Sequence, residues 1–227
     1  MKYIKLFEDF DPYEYMIMSP NNKTKLIIDE IKKRETKDAN LDYVKNLIEL
    51  GANLEYIDDV FGETVLHIAC RFETKTDLVK MLLDYGMNPN IEDEAGFTPI
   101  FSVAENNKGI DIAKTLIENG ANVKTIKSKF NGATPLHLAA EYANLPITEL
   151  FLVEGINPNA QDDEGNTPLH YALERECDDT VQLLLDFGAD PTIKNAGNLS
   201  PFDLSKDLWT PAIFNLFQDH ISDINNS

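Results

Sequence analysis

The stretch Thr134-Pro135-Leu136-His137-Leu138-Ala139-Ala140 returns as Thr167-Pro168-Leu169-His170-Tyr171-Ala172-Leu173. Weaker copies stand at Thr64-Val65-Leu66-His67-Ile68-Ala69-Cys70, Thr98-Pro99-Ile100-Phe101-Ser102-Val103-Ala104 and Ser200-Pro201-Phe202-Asp203-Leu204. Successive copies begin 34, 36, 33 and 33 residues apart. A fixed period of this length means one small unit repeated, each burying its apolar face against its neighbours. That outweighs the alternative division of 227 residues into separate domains.

Each heptad carries the chemistry of a helix start. The Thr oxygen can accept from orphan backbone N–H groups of the first turn. Pro follows at the first helical position, where its missing N–H is no loss. A second marker keeps the same beat: Gly51, Gly86, Gly120, Gly155 and Gly188 each end an apolar run. Glycine there fits the left-handed residue just past a helix end. One unit therefore reads as helix, turn, helix, glycine stop and hairpin-like loop. Period and Thr-Pro-Leu-His-x-Ala signature together resemble the ankyrin repeat. The resemblance implies an all-α ankyrin-repeat solenoid of about six helix-turn-helix units with hairpin loops and capping segments at both ends. It also implies that the motif histidines are structural, bonding across their own turn and to the adjacent loop.

Residues 1–20 fall outside the pattern and read as an N-terminal arm or cap. Its apolar content suits folding back over the first unit, or docking into a partner. The repeat domain is expected over 21–227, with units of approximately 21–55, 56–90, 91–124, 125–159, 160–192 and 193–227. In the first unit Ser19-Pro20-Asn21-Asn22 punctuates, and the helical pattern spans Lys25–Arg34. In the last, Asn198 stands near the usual glycine position, tolerable because Asn also visits left-handed φ.

Charges interrupt every apolar run at the start of the chain, so no signal peptide is expected. No stretch approaches the run of about 18 apolar residues that spans a membrane. The two cysteines lie three repeats apart, too far for a disulfide. Together these lead to the expectation of a reduced, cytoplasmic setting, in its own or a host cell. A monomer is expected. Net charge is −19, which disfavours direct nucleic-acid binding. From Phe130 to Ile193 the only basic residue is Arg175. That acidic face is either a solubilising surface or one that steers towards a basic partner.

A catalytic or metal role would require His67, His137 and His170 to converge. Stacked units set equivalent residues about 8–10 Å apart instead. The acidic stretches Asp162-Asp163-Glu164-Gly165 and Glu92-Asp93-Glu94-Ala95-Gly96 lack the ligand order of a calcium loop and read as hairpin turns. No catalytic motif appears, and neither cofactor nor metal is expected.

The resemblance implies a non-enzymatic protein–protein interaction module using loop tips and the concave face of the first helices. On the loop tips this selects Phe61, Phe97, Lys127, Lys129, Phe130, Asp163 and Glu164. On the inner row it selects Arg71, Phe72, Glu105, Asn106, Glu141, Tyr142, Glu174 and Arg175. Lys127 and Lys129 stand in the one irregular loop, which makes it a place to look for function. Phe61, Phe72, Phe97, Phe130 and Tyr142 are the favoured anchors, unless they tuck between units as satellite core. The alternative function is an acidic nucleic-acid mimic that inhibits a basic nucleic-acid-handling protein.

Overall fold

A computed structural model describes residues 12–33, 40–58, 60–72, 76–105, 109–175, 177–206 and 211–226. Among them are thirteen helices and no strand. The helix α1 (Pro12–Ile17) precedes six pairs: α2 (Pro20–Lys32) with α3 (Leu41–Glu49), α4 (Val65–Arg71) with α5 (Thr76–Asp84), and α6 (Pro99–Ala104) with α7 (Ile110–Glu118). Then come α8 (Pro135–Glu141) with α9 (Leu145–Val153), α10 (Pro168–Glu174) with α11 (Asp178–Asp186), and α12 (Pro201–Ser205) with α13 (Pro211–Asn226). First helices touch in the order α2, α4, α6, α8, α10, α12, and second helices in the order α5, α7, α9, α11, α13. This is the all-α repeat solenoid that the period demands, held by neighbour contacts between two parallel rows.

The core is a strip between the rows. Leu66, Ile68, Leu136 and Leu169 from the first helices meet Leu78, Leu82, Leu116, Phe151 and Leu184 from the second, all fully buried. The five glycines after the second helices take φ of +85° to +89°, and Asn198 takes φ of +61°. The helix expected from Lys25 instead begins at Pro20. Ser19 caps it, its Oγ accepting from the Asn22 N–H at 3.3 Å. Ser-Pro there is the same start signal as Ser200-Pro201, so the supposed punctuation is the first turn. Of the expected N-terminal arm, residues 1–11 lie outside the described residues. Tyr15 on α1 is buried edge-on to Tyr43, with ring centroids 6.3 Å apart.

Each motif histidine joins two units. The Nδ1 of His67, His137 and His170 accepts from the backbone N–H of Thr64, Thr134 and Thr167 at 3.2, 3.0 and 3.0 Å. The threonine hydroxyls lie 3.0, 2.8 and 2.9 Å from the same nitrogens. On the other side, Nε2 lies 3.0, 3.0 and 3.1 Å from the carbonyl oxygens of Phe97, Asn166 and Leu199 in the next loop. A carbonyl only accepts and an N–H only donates, so these partners fix the neutral tautomer with its proton on Nε2. Phe101 replaces the histidine in the third unit. Thr98 Oγ1 is there a buried side-chain oxygen without a partner among the described residues.

Candidate functional site

The first helices α4, α6, α8 and α10 end on Phe72, Glu105, Tyr142 and Arg175 as their C-cap residues. Stacking sets these side chains, with Arg71, Glu141 and Glu174 just before three of them, along one edge of the first-helix row. The hairpin loops border that edge, because Arg71 reaches back eight residues to its own hairpin. Arg71 Nη2 donates to Glu63 Oε2 at 2.6 Å. Its guanidinium carbon lies 5.6 Å from the centre of the Phe61 ring and 5.4 Å from that of Phe72. Both distances are within cation–π range. Glu63 is buried, and burial pushes its carboxyl above the usual range while Arg71 pulls it back down.

Further along the row, Arg175 Nη2 donates to Glu141 Oε1 at 3.2 Å, bridging the fourth and fifth units. Tyr142, next to Glu141 in the chain, is 43% exposed. Burial raises its hydroxyl first, Glu105 and Glu141 raise it further, and Arg175 opposes them. Burial also raises the Glu105 carboxyl, with Arg71 lowering it and Glu141 raising it. Glu174 is exposed at the end of α10. Asn106 lies outside the described residues.

On the loop tips, Phe61 and Phe130 are 57% and 81% exposed. Phe97 is half-buried, its ring tilted against Phe101 at 4.9 Å. Two lysines of the irregular loop, Lys127 and Lys129, are engaged by neighbouring hairpins. Lys129 pairs with Glu92 of the hairpin before, and Lys127 Nζ donates to the Gln161 carbonyl of the hairpin after at 2.7 Å. Successive tips are also joined through the backbone: the N–H groups of Lys129, Asp163 and Ala196 donate to the carbonyls of Ala95, Asn131 and Glu164 at 2.9, 2.9 and 2.7 Å. The Asp163 and Glu164 side chains remain exposed.

The fold thus brings Phe61, Arg71, Phe97 and Glu105 to one groove of about 340 Å³ between the second and third units, while Phe72, 5.4 Å from the Arg71 guanidinium, does not line it. Glu141, Tyr142 and Arg175 form a second group along the row. Lys127, Lys129 and Phe130 belong to the loop-tip layer. The acid-rich turn at Asp162 is occupied by its own chain: Oδ1 accepts from the N–H groups of Glu164 and Asn166 at 3.0 and 2.7 Å, and Oδ2 from the Tyr171 hydroxyl at 2.8 Å. Among the described residues no group of three or more His, Cys, Asp or Glu is placed to hold a metal ion.

The sequence carries no signal that links Glu63 to Arg71. Sequence reasoning missed the asparagine links altogether. Asn90 Nδ2 donates to the Gly120 carbonyl at 2.8 Å, while its Oδ1 accepts from the Asn122 N–H at 2.6 Å. Asn159 does the same with Gly188 and Asp190 at 2.9 and 2.7 Å. The repeated Asn-Pro-Asn at 88–90 and 157–159 was the available signal.

Comparison with known proteins agrees with this architecture. A family model described as ankyrin repeats (3 copies) matches residues 35–127 and again 103–195. The E3 ubiquitin-protein ligase KEG of Arabidopsis thaliana is 32% identical over 156 residues, covering 67% of this chain and 9% of the ligase. Neurogenic locus notch homolog protein 1 of Danio rerio is 33% identical over 169 residues, 74% of this chain and 7% of that protein. The nuclear factor NF-kappa-B p105 subunit of Gallus gallus is 32% identical over 177 residues, 76% and 17% respectively. The chain therefore spans less than a fifth of each of these relatives. No helix among the described residues is long and apolar enough to cross a membrane.

Proposed function

Because this chain belongs to the ankyrin-repeat family, whose repeats generally mediate protein–protein contacts, we propose that it is a non-enzymatic binding scaffold. It grips a partner protein along the loop tips and the adjoining edge of the first-helix row. The observation that carries this reading is the line of aromatic and charged side chains from Phe61 and Arg71 to Tyr142 and Arg175. Contacts within the scaffold hold these groups in place, so little side-chain freedom is lost on binding. Rings and guanidinium groups ringed by polar residues are what protein interfaces draw their energy from.

The test uses the full chain as bait in extract of its native cell, with captured proteins identified by mass spectrometry. The double variant Phe72→Ala, Tyr142→Ala is then compared with wild type against the purified partner. Affinity should fall at least about tenfold with helicity unchanged, since losing two interface anchors costs about 2 kcal/mol or more. A change below twofold would remove the row edge from the binding surface.

A second reading, an acidic mimic of nucleic acid, has one observation in its favour. Between Phe130 and Ile193 the only basic side chain, Arg175, is paired with Glu141, while Asp163, Glu164 and Glu174 stay exposed. It requires an affinity for a basic nucleic-acid-handling protein that falls steeply with salt. An affinity equal at low and physiological salt rejects it.

A further inference from the structure

The groove between the second and third hairpins has a lopsided lining. Four carboxylates, those of Glu63, Asp93, Glu94 and Glu105, face it against the single guanidinium of Arg71. That guanidinium is already bound to Glu63. The exposed Glu105 carboxylate has no ion pair or hydrogen bond among the described residues, and partial loss of solvent holds it above the usual range even with Arg71 nearby. The rest of the lining includes Phe97, its ring tilted against the buried Phe101 at 4.9 Å, and Phe61, exposed on the rim. The molecule itself shows what such a lining accepts, since Arg71 lies within cation–π distance of two phenyl rings and is bound to a carboxylate.

Resting on the binding-scaffold reading, we propose that this groove docks a linear segment of a partner protein carrying an arginine or lysine flanked by apolar side chains. The cation lies against Glu105, and the flanking side chains pack on Phe61 and Phe97. Charge complementarity selects this occupant. An anionic segment would meet four carboxylates, and a purely apolar one would strip water from Glu105 without replacing its hydrogen bonds. A guanidinium or ammonium supplies those bonds, and charge-assisted bonds are the strong ones.

The experiment is a selection of randomised displayed peptides on the immobilised full chain. The recovered peptides are then synthesised with a fluorophore and titrated in solution against wild type and four variants. Glu105→Gln and Phe61→Ala alter the groove, Tyr142→Ala alters the row beyond it, and Glu149→Gln is a control on the opposite helix row. Circular dichroism checks that each variant keeps its helices. Expected are peptides enriched in Arg or Lys beside apolar residues, bound at least about fivefold more weakly by Glu105→Gln and Phe61→Ala and unchanged by Glu149→Gln. Replacing the basic residue of the peptide by Glu should abolish binding. Recovery of acidic or uncharged peptides, recovery of none, or equal affinity for Glu105→Gln and wild type would each overturn the proposal. Peptides weakened by Tyr142→Ala alone would overturn this groove and leave the scaffold reading standing. Peptides indifferent to every variant on this face would overturn both.

Discussion

Thr98 and Thr134 hold the same motif position with opposite outcomes for the hydroxyl. Thr134 Oγ1 has His137 Nδ1 at 2.8 Å, while Thr98 Oγ1 is buried without a partner among the described residues because Phe101 offers no acceptor. Thr134→Val should therefore lower the unfolding free energy by about 1 kcal/mol, whereas Thr98→Val should leave it unchanged or raise it. Urea denaturation of the two variants reads the difference, and equal losses would contradict the pairing. His137 carries a second consequence. Burial is the main cause holding its pKa down at about 4, against an ordinary 6.5, and Nδ1 already faces an N–H donor. The unfolded chain thus binds the proton more readily than the folded one. Stability from this residue is complete above about pH 6.5 and drains away as pH falls through about 4, and burial pushes His67 and His170 in the same direction. His137→Gln should lower the urea midpoint at pH 7 and flatten its fall between pH 6.5 and 4. A variant with the wild-type slope would show that protonation of this ring is not part of the acid response.

At the scale of the element, the hairpin and the helix end use glycine for different reasons, and the two can be separated. Gly120 follows α7 with φ of +89°, and a Cβ there would meet nothing within 4 Å. Gly96 sits in a hairpin with φ of +77°, and a Cβ there would lie 2.6 Å from Lys129 Cγ and 2.9 Å from the Lys129 backbone nitrogen. That nitrogen is the one that donates to Ala95. Gly120→Ala should cost about 1–2 kcal/mol, the penalty of left-handed backbone for a residue with a Cβ. Gly96→Ala should cost clearly more, because it also pushes two hairpins apart. Chemical denaturation of both variants measures this, and similar losses would mean that the tips can separate without cost.

For the whole molecule the governing quantity is the charge. Thirty-nine acidic side chains face twenty basic ones, so the folded stack repels itself. The ion pairs that salt would weaken are mostly exposed, as in Lys45–Glu49 and Lys206–Asp203, and such pairs contribute about 0–1 kcal/mol each. Screening the repulsion should outweigh weakening the pairs. The melting temperature is expected to rise when sodium chloride is added to a low-salt buffer, and calorimetry checks it. A fall would mean that the ion pairs matter more than the net charge.

The local signals were legible in the residues alone. Thr-Pro starts, glycine stops and apolar spacing each act within a single helical turn, so the helices, their pairing and the solenoid could be read before any contact was known. Ser19-Pro20 carried the same signal and was passed over only because the rest of its motif is missing. The tertiary structure decided what the surface residues do. Arg71 is bound by Glu63 and lies within cation–π distance of Phe61 and Phe72, Lys127 and Lys129 are taken up by hairpins on either side, and Glu105 is left facing a groove. Those outcomes depend on the register and spacing of one unit against the next. That geometry comes from packing between residues some thirty positions apart, and no periodicity within a unit encodes where a long side chain will come to rest.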